Sequence, residues 1–205
     1  MYIPKHFSEE DLSKILSFMK EFSFATIVSM QDSIPVATHL PFVLEEREDK
    51  IILVAHFARA NEQWKEIDQQ TVLVIFSEPH AYISPGHYET ELNVPTWNYV
   101  AVHAYGKVEI IDDKQKTIEV LEKTIRNYEA GYEQQWSQLP EKYRDGMLKG
   151  IVAFEVTVTD LQAKYKLSQN RTEKERAAIM ETLKNSKSAV EYKVGEMMEN
   201  RRTFH

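Results

Sequence analysis

Four short stretches carry residue types that could do chemistry. His56-Phe57-Ala58-Arg59-Ala60-Asn61 falls where an apolar strand pattern gives way to a helix start. Such a junction exposes backbone N–H groups, and Arg59 could add the guanidinium fork that grips a phosphate. The same residues equally describe a surface arginine followed by a helix cap at Asn61. Val36-Ala37-Thr38-His39-Leu40-Pro41-Phe42 places Thr38, Leu40 and Phe42 on one strand face and His39 on the other. A histidine bounded by apolar strand residues is more often structural than not. Alternatively, the Thr38 hydroxyl, the imidazole and nearby strand amides could hydrogen-bond the edge of a heteroaromatic ligand. Pro95-Thr96-Trp97-Asn98-Tyr99 opens a long alternating run, where packing between subunits competes with ligand stacking. Lys164-Tyr165-Lys166-Leu167-Ser168-Gln169-Asn170 combines two cations with three small polar side chains. It reads as a solvated linker, or as a lid that closes over a charged ligand.

Other chemistries lack residues to perform them. The chain has no cysteine, which excludes disulfides, thiolate metal sites and cysteine nucleophiles. His80 and His87 flank Pro85-Gly86, but no third ligand is placed for a metal. There is neither a phosphate-binding glycine loop nor a nucleophile elbow. No catalytic residue and no metal site are therefore assigned. MYIPKHFSEEDL lacks an apolar signal core, and no apolar run reaches membrane-spanning length. A cytoplasmic protein without a membrane partner is expected.

The elements that must position these residues follow from periodicity. Ser8, with Asp11 three residues on, predicts a helix start, and Leu12, Ile15, Leu16, Met19 and Phe22 mark its apolar face. Strands are predicted at Phe24–Met30, Val36–Leu44, Lys50–Phe57, Thr71–Phe76 and Ala81–Ser84, with a short helix after Asn61. The longest alternation runs from Asn93 to Ile111. One face holds Val100, Val102, Ala104, Val108 and Ile110; the other holds Trp97, Tyr99, Ala101, His103 and Tyr105. Aromatic rings with polar tips need cover on one side and a hydrogen-bond partner nearby, so a partner subunit or a flat ligand should lie against that face. Asp112-Asp113 predicts a helix to about Ala130, with Ile118, Leu121, Ile125 and Tyr128 inward. A second helical piece follows Pro140. Gly150 opens a strand whose face is Val152, Phe154, Val156 and Val158, continued by an extended segment to Asn170. Thr172 with Glu175, and Ser188 with Glu191, predict two final helices; Val190, Val194, Met197 and Met198 form the face of the last. The closely spaced strands predict an antiparallel barrel decorated by helices, in the α+β class and predominantly β. Residues 1–163 would form this body, and residues 164–205 an extended segment and helical tail of the same domain or a dimer arm.

Net charge is −7 over 205 residues, yet it is +4 from residue 164 onward and −11 before it. An acidic body disfavours unspecific attraction to nucleic acid. The last two helices, joined by Asn185-Ser186-Lys187, sketch a helix-turn-helix outline without a dense run of base-reading side chains. Arg201 and Arg202 at its end are the candidate DNA contacts.

Five separated stretches also resemble, in order, the PaiB family: MYIPKHF at 1–7, HFARANEQWK at 56–65, VPTWNY at 94–99, GIVAFEV at 150–156 and KLSQN at 166–170. Its members are FMN-binding negative transcriptional regulators, named after a Bacillus repressor of protease-synthesis and sporulation genes. The resemblance implies a split β-barrel of the flavin-reductase and pyridoxamine-phosphate-oxidase type, working as a homodimer with FMN at the subunit interface. By motif position, Thr38, His39, Leu40 and Pro41 would line the isoalloxazine. His56, Ala58, Arg59 and Asn61 would lie near the ribityl phosphate. Thr96, Trp97, Asn98 and Tyr99 would border the ring or the partner subunit, and Lys166, Ser168 and Gln169 would reach in from the closing segment. Glu62 stands where the motif often has proline, which touches the helix start more than the chemistry. The function implied is regulation rather than catalysis. A flavin-dependent oxidoreductase or a haem-handling protein on the same fold is the alternative, as is a dimer whose flavin site is degenerate.

Overall fold

In the computed structural model, which describes residues 1–201, left-handed turn residues set the first hairpins. Asp32 and Ser33 both have positive φ, as do Glu48 and Asp49, the geometry of two-residue turns that match strand twist. The first turn joins β1 (Phe24–Gln31) to antiparallel β2 (Ile34–Pro41); the second joins β3 (Val43–Arg47) to β4 (Lys50–Ala58). The single strand predicted at Val36–Leu44 is thus two. Pro41 supplies no donor, and the Phe42 N–H turns instead to the Ser23 carbonyl at 2.9 Å while its ring is buried. Two strands predicted at Thr71–Phe76 and Ala81–Ser84 are one, β5 (Thr71–Ile83). The long strand is β6 (Thr96–Ile111), and β7 (Ile151–Lys166) absorbs most of the segment expected to be merely extended. The seven strands form one sheet in the order β2-β1-β5-β6-β7-β4-β3. The end position of β2 accommodates Pro35 and Pro41, whose missing donors would interrupt an inner strand.

Capping chemistry places the helices. α1 (Leu12–Glu21) starts one turn later than expected, because Asp11 rather than Ser8 caps it. The Asp11 carboxylate accepts the N–H groups of Ser13 (3.0 Å) and Lys14 (3.4 Å), while Ser8 bridges to Lys164. α2 (Lys114–Glu129) is capped by Asp113; α3 (Glu133–Gln138), which periodicity did not predict, and α4 (Glu141–Leu148) follow. The face α2 buries also differs from expectation. Thr117 and Val120 point inward, Ile118, Leu121 and Ile125 are half-buried, and Tyr128 is half exposed. Val120 is drawn to an apolar patch of Val43, Ile52, Val54 and Ala153, and the Tyr128 hydroxyl bonds Ser23 Oγ at 2.7 Å. Thr172 and Glu175 form the expected reciprocal box for α5 (Glu173–Lys184), and Ser188 caps α6 (Ala189–Asn200).

The chain divides into two units that interleave in sequence. Residues 16–76 with 103–161 have a core of phenylalanines: Phe57 stacks on Phe154 at 4.6 Å, and Phe42 meets Phe154 and Phe76 at about 6 Å. Here β6 passes β7 at Gly106, where a Cβ would lie 2.4 Å from the Thr157 carbonyl oxygen. Residues 1–15, 77–102 and those from 162 onward form the other unit. There α5 and α6 bury Ile179, Leu183, Val194 and Met198.

Candidate functional site

In the unit containing β1 to β4, the strand-to-helix junction folds as the sequence predicts. Asn61 caps a 3-10 turn (Glu62–Lys65) by accepting the Gln63 N–H at 3.0 Å. Its amide then donates to Thr38 Oγ1 at 2.8 Å, and Thr38 donates to Gln63 Oε1 at 2.6 Å. Gln63, which is buried, donates onward to Ser29 Oγ and to the Val36 carbonyl. Thr38 and Asn61 are therefore brought together, and Gln63 is the member of their network that sequence reasoning missed. Its position two residues past a cap was the available signal. His39 lies on the opposite, exposed face of β2, stacked on Phe24 at 6.4 Å. Leu40 turns into the core and Pro41 is half-buried.

Arg59 follows the exposed Ala58 and is held to the start of β7. Its Nε donates to the Lys149 carbonyl and its Nη2 to the Ile151 carbonyl, both at 2.8 Å, and its charge sits 5.6 Å from the Trp64 ring. It lines a cleft of about 240 Å³ with Trp64, Lys114, Asp145 and Leu148, where Lys114 and Asp145 neutralise each other at 2.8 Å. Two guanidinium nitrogens are thus spent on the fold, and Nη1 makes no hydrogen bond among the described residues. His56 sits on β4 with its imidazole pKa pushed below the ordinary 6.5 by burial. A lowered folded value means that stability is full above pH 6.5 and is lost as the pH falls from 6.5 toward that value, since the unfolded chain takes the proton first. His56→Gln is expected to flatten the melting temperature against pH just below 6.5; an unchanged slope would contradict this.

The other unit holds the remaining candidates. Lys166 donates to Thr96 Oγ1 and lies 6.0 Å from the Phe7 ring. Lys164, two residues earlier on the same face of β7, donates to the Tyr2 carbonyl and sits over the Tyr2 and Tyr99 rings at 5.7 and 5.3 Å. Among the described residues no carboxylate pairs with either ammonium. Burial, and then the neighbouring Lys164 charge, push the Lys166 pKa down. Two partly buried cations without a counter-charge are costly unless a ligand supplies one. Lys164 was visible in the sequence as one of two cations of a linker or lid; its closeness to the Tyr2 and Tyr99 rings was not.

Trp97 is 52% exposed and faces Tyr82 at 5.8 Å and His80 at 5.9 Å, an open aromatic surface. Asn98 and Ser168 are brought together but turned inward. Asn98 is wholly buried; its amide donates to Ser168 Oγ at 2.9 Å and toward Met198 Sδ at 3.5 Å. Ser168 adopts φ 60°, so the backbone reverses there. The Gln169 amide folds onto its own segment, accepting the Leu167 N–H at 2.7 Å and donating to the Tyr165 carbonyl. Arg201 pairs with Glu9 and lies 5.1 Å from the Tyr165 ring. Arg202 lies outside the described residues.

FMN requires a flat apolar surface, donors for the ring's polar edge and a cation for the phosphate. The residues present fit those demands: exposed Trp97 and Tyr82, the Thr96 hydroxyl, and the unneutralised Lys164 and Lys166. On β6 of the other unit, His103 Nδ1 is shielded from solvent without a hydrogen-bond partner among the described residues, a buried polar atom awaiting one.

Residues 1–160 match the family model described as "Putative FMN-binding domain". The chain is 41% identical over 204 residues to protease synthase and sporulation protein PAI 2 of Bacillus subtilis, covering 98% of each. Among solved structures, the flavocytochrome Anf3 from Azotobacter vinelandii superposes with a TM-score of 0.62 at 16% identity, covering 86% of this chain and 78% of that one. An FAD- and haem-binding protein from Mycobacterium smegmatis gives 0.57 at 16% identity, with coverages of 78% and 73%. These likenesses place the chain in their α+β, predominantly β fold.

Proposed function

We propose, on the premise that this chain belongs to the PaiB-like family of FMN-binding-domain proteins, that it binds FMN as a homodimer and acts as a negative transcriptional regulator. The observation that carries the flavin part is the pair Lys164 and Lys166, set against aromatic rings without a carboxylate partner among the described residues. An anionic ligand would supply the missing charge, Thr96 would fix its orientation, and Trp97 with Tyr82 would offer a surface for stacking. When bound, FMN supplies a flat, redox-active isoalloxazine. In the other unit, Arg59, Asn61 and Thr38 would offer Nη1, an amide and a hydroxyl as flavin contacts of their own.

Dimerisation is supported by the outer face of β1 and β2. On that face Phe24 is 67% and Met30 49% exposed, two large apolar side chains that a second copy of the chain would cover. Phe24→Glu with Met30→Glu should convert a sedimenting dimer into monomers; a dimer that survives both charges contradicts this interface.

Regulation is supported by the name of the Bacillus subtilis relative, which ties that protein to protease synthesis and sporulation. Arg201 and Arg202 are the proposed DNA contacts, with Arg201 exchanging Glu9 for a phosphate. Gel shifts on promoter fragments of protease and sporulation genes test this. Arg201→Ala with Arg202→Ala should weaken binding and reduce the salt slope by about one unit per lost contact. Binding unchanged by the double substitution would refute contact through the tail. A haem spectrum on haem addition, with no response to FMN, would support a haem-handling protein on this fold instead.

A further inference from the structure

A second concentration of positive charge lies in the same unit as Lys166 but uses other side chains. His6, Ser8, Glu9, Lys14, Arg176 and Arg201, with Gln169, line a cleft of about 310 Å³. Arg176 comes from α5, is only 9% exposed, and keeps its Nε buried with no hydrogen-bond partner among the described residues. A buried guanidinium nitrogen left unpaired is costly, and an acceptor placed in the cleft would relieve it. Glu9 is the lining carboxylate, and Arg201 already holds it. Carboxylates also touch these cations, Asp11 at 3.6 Å from Lys14 and Glu173 at 3.0 Å from Arg176. Asp11 is 44% and Glu173 70% exposed, so solvent screens both pairs and they cancel little of the charge inside.

We infer that this cleft binds a small organic oxyanion, a phosphate ester or a dicarboxylate, separately from the flavin. Planar guanidinium groups match both oxyanions through paired N–H donors. Lys14 adds a further ammonium group, and Ser8, His6 and Gln169 add polar groups around it. The volume equals that of about ten water molecules, more than inorganic phosphate needs and enough for a short carbon chain. A metabolite bound here would touch Arg201 and compete with Glu9 for it, which gives the cleft a means of acting on the C-terminal tail.

Calorimetric titration of the full chain with inorganic phosphate, glycerol 3-phosphate and succinate tests the assignment, each with and without saturating FMN. Binding of at least one of the organic anions is expected, with the same affinity in both states. Preference for glycerol 3-phosphate identifies an ester, and preference for succinate a dicarboxylate. Arg176→Gln should weaken binding roughly tenfold or more, as for loss of a charged hydrogen bond. Lys14→Gln, on an exposed helix face where folding is not at stake, should weaken it about fivefold. No binding of any probe overturns the inference, as does affinity unaltered by Lys14→Gln. Loss of anion binding when FMN is present also overturns it, because the cleft would then be serving the flavin's own phosphate.

Discussion

Phe154→Ala is expected to lower stability by about 3–5 kcal/mol, the cost of emptying a core aromatic site. Phe154 has no exposed surface, stacks on Phe57 at 4.6 Å and meets the edge of Phe42 at 6.2 Å. Its strand neighbours cannot collapse into the gap. Val54 and Ala55 across the β4–β7 ladder are themselves buried and held by the register Ala55 to Phe154. For a chain of this length the loss corresponds to a drop of roughly 6–20 °C in melting temperature. Thermal unfolding checks it; a drop below about 3 °C would mean that the phenylalanines are not a shared core.

Lys166→Met is expected to do the opposite to the protein and something larger to its ligand. The ammonium is partly buried, repelled by Lys164 and unpaired with any carboxylate among the described residues, so its charged form is disfavoured in the folded chain. Because its folded pKa is lowered, this penalty is fully present below that value and disappears as the pH rises toward the unfolded 10.5. Replacing the ammonium with an apolar side chain of similar length should therefore raise the melting temperature of the ligand-free protein at neutral pH. FMN affinity should fall roughly 10- to 100-fold, the worth of one charge-assisted hydrogen bond, while riboflavin affinity should change little. Greater stability with weaker FMN binding is the signature of a residue kept for its ligand. Equal losses for FMN and riboflavin would remove Lys166 from the phosphate contact.

Local rules made much of the fold legible. Thr172 with Glu175, Ser188, Asp113 and Asn61 all cap where their types predict, since a cap depends on a few neighbouring residues. The failures share a cause in distant partners. Phe42 interrupts a strand because Ser23 takes its N–H and the core takes its ring. α2 turns Val120 inward because Val43, Ile52 and Val54 await it, which no helical periodicity within α2 reveals. At the site, motif position nominated Thr38, Asn61, Thr96, Asn98, Lys166 and Ser168 without pairing them; the folded chain puts Thr38 against Asn61, Thr96 against Lys166 and Asn98 against Ser168. Residue type could not tell that Asn98 and Ser168 spend their polar atoms on each other, or that Arg59 gives two donors to β7. The sequence offered Lys164 and Lys166 as two cations of a linker or lid, but only the folded chain shows that among the described residues neither meets a carboxylate.

The central claim is that this chain binds FMN, and equilibrium titration with fluorescence and thermal readouts tests it most directly. Flavin fluorescence should be quenched to saturation at about one FMN per chain. At a hundred times the dissociation constant, FMN should add about 2.7 kcal/mol, raising the melting temperature by roughly 5–11 °C. Unquenched fluorescence and an unmoved melting temperature at millimolar FMN would contradict the account.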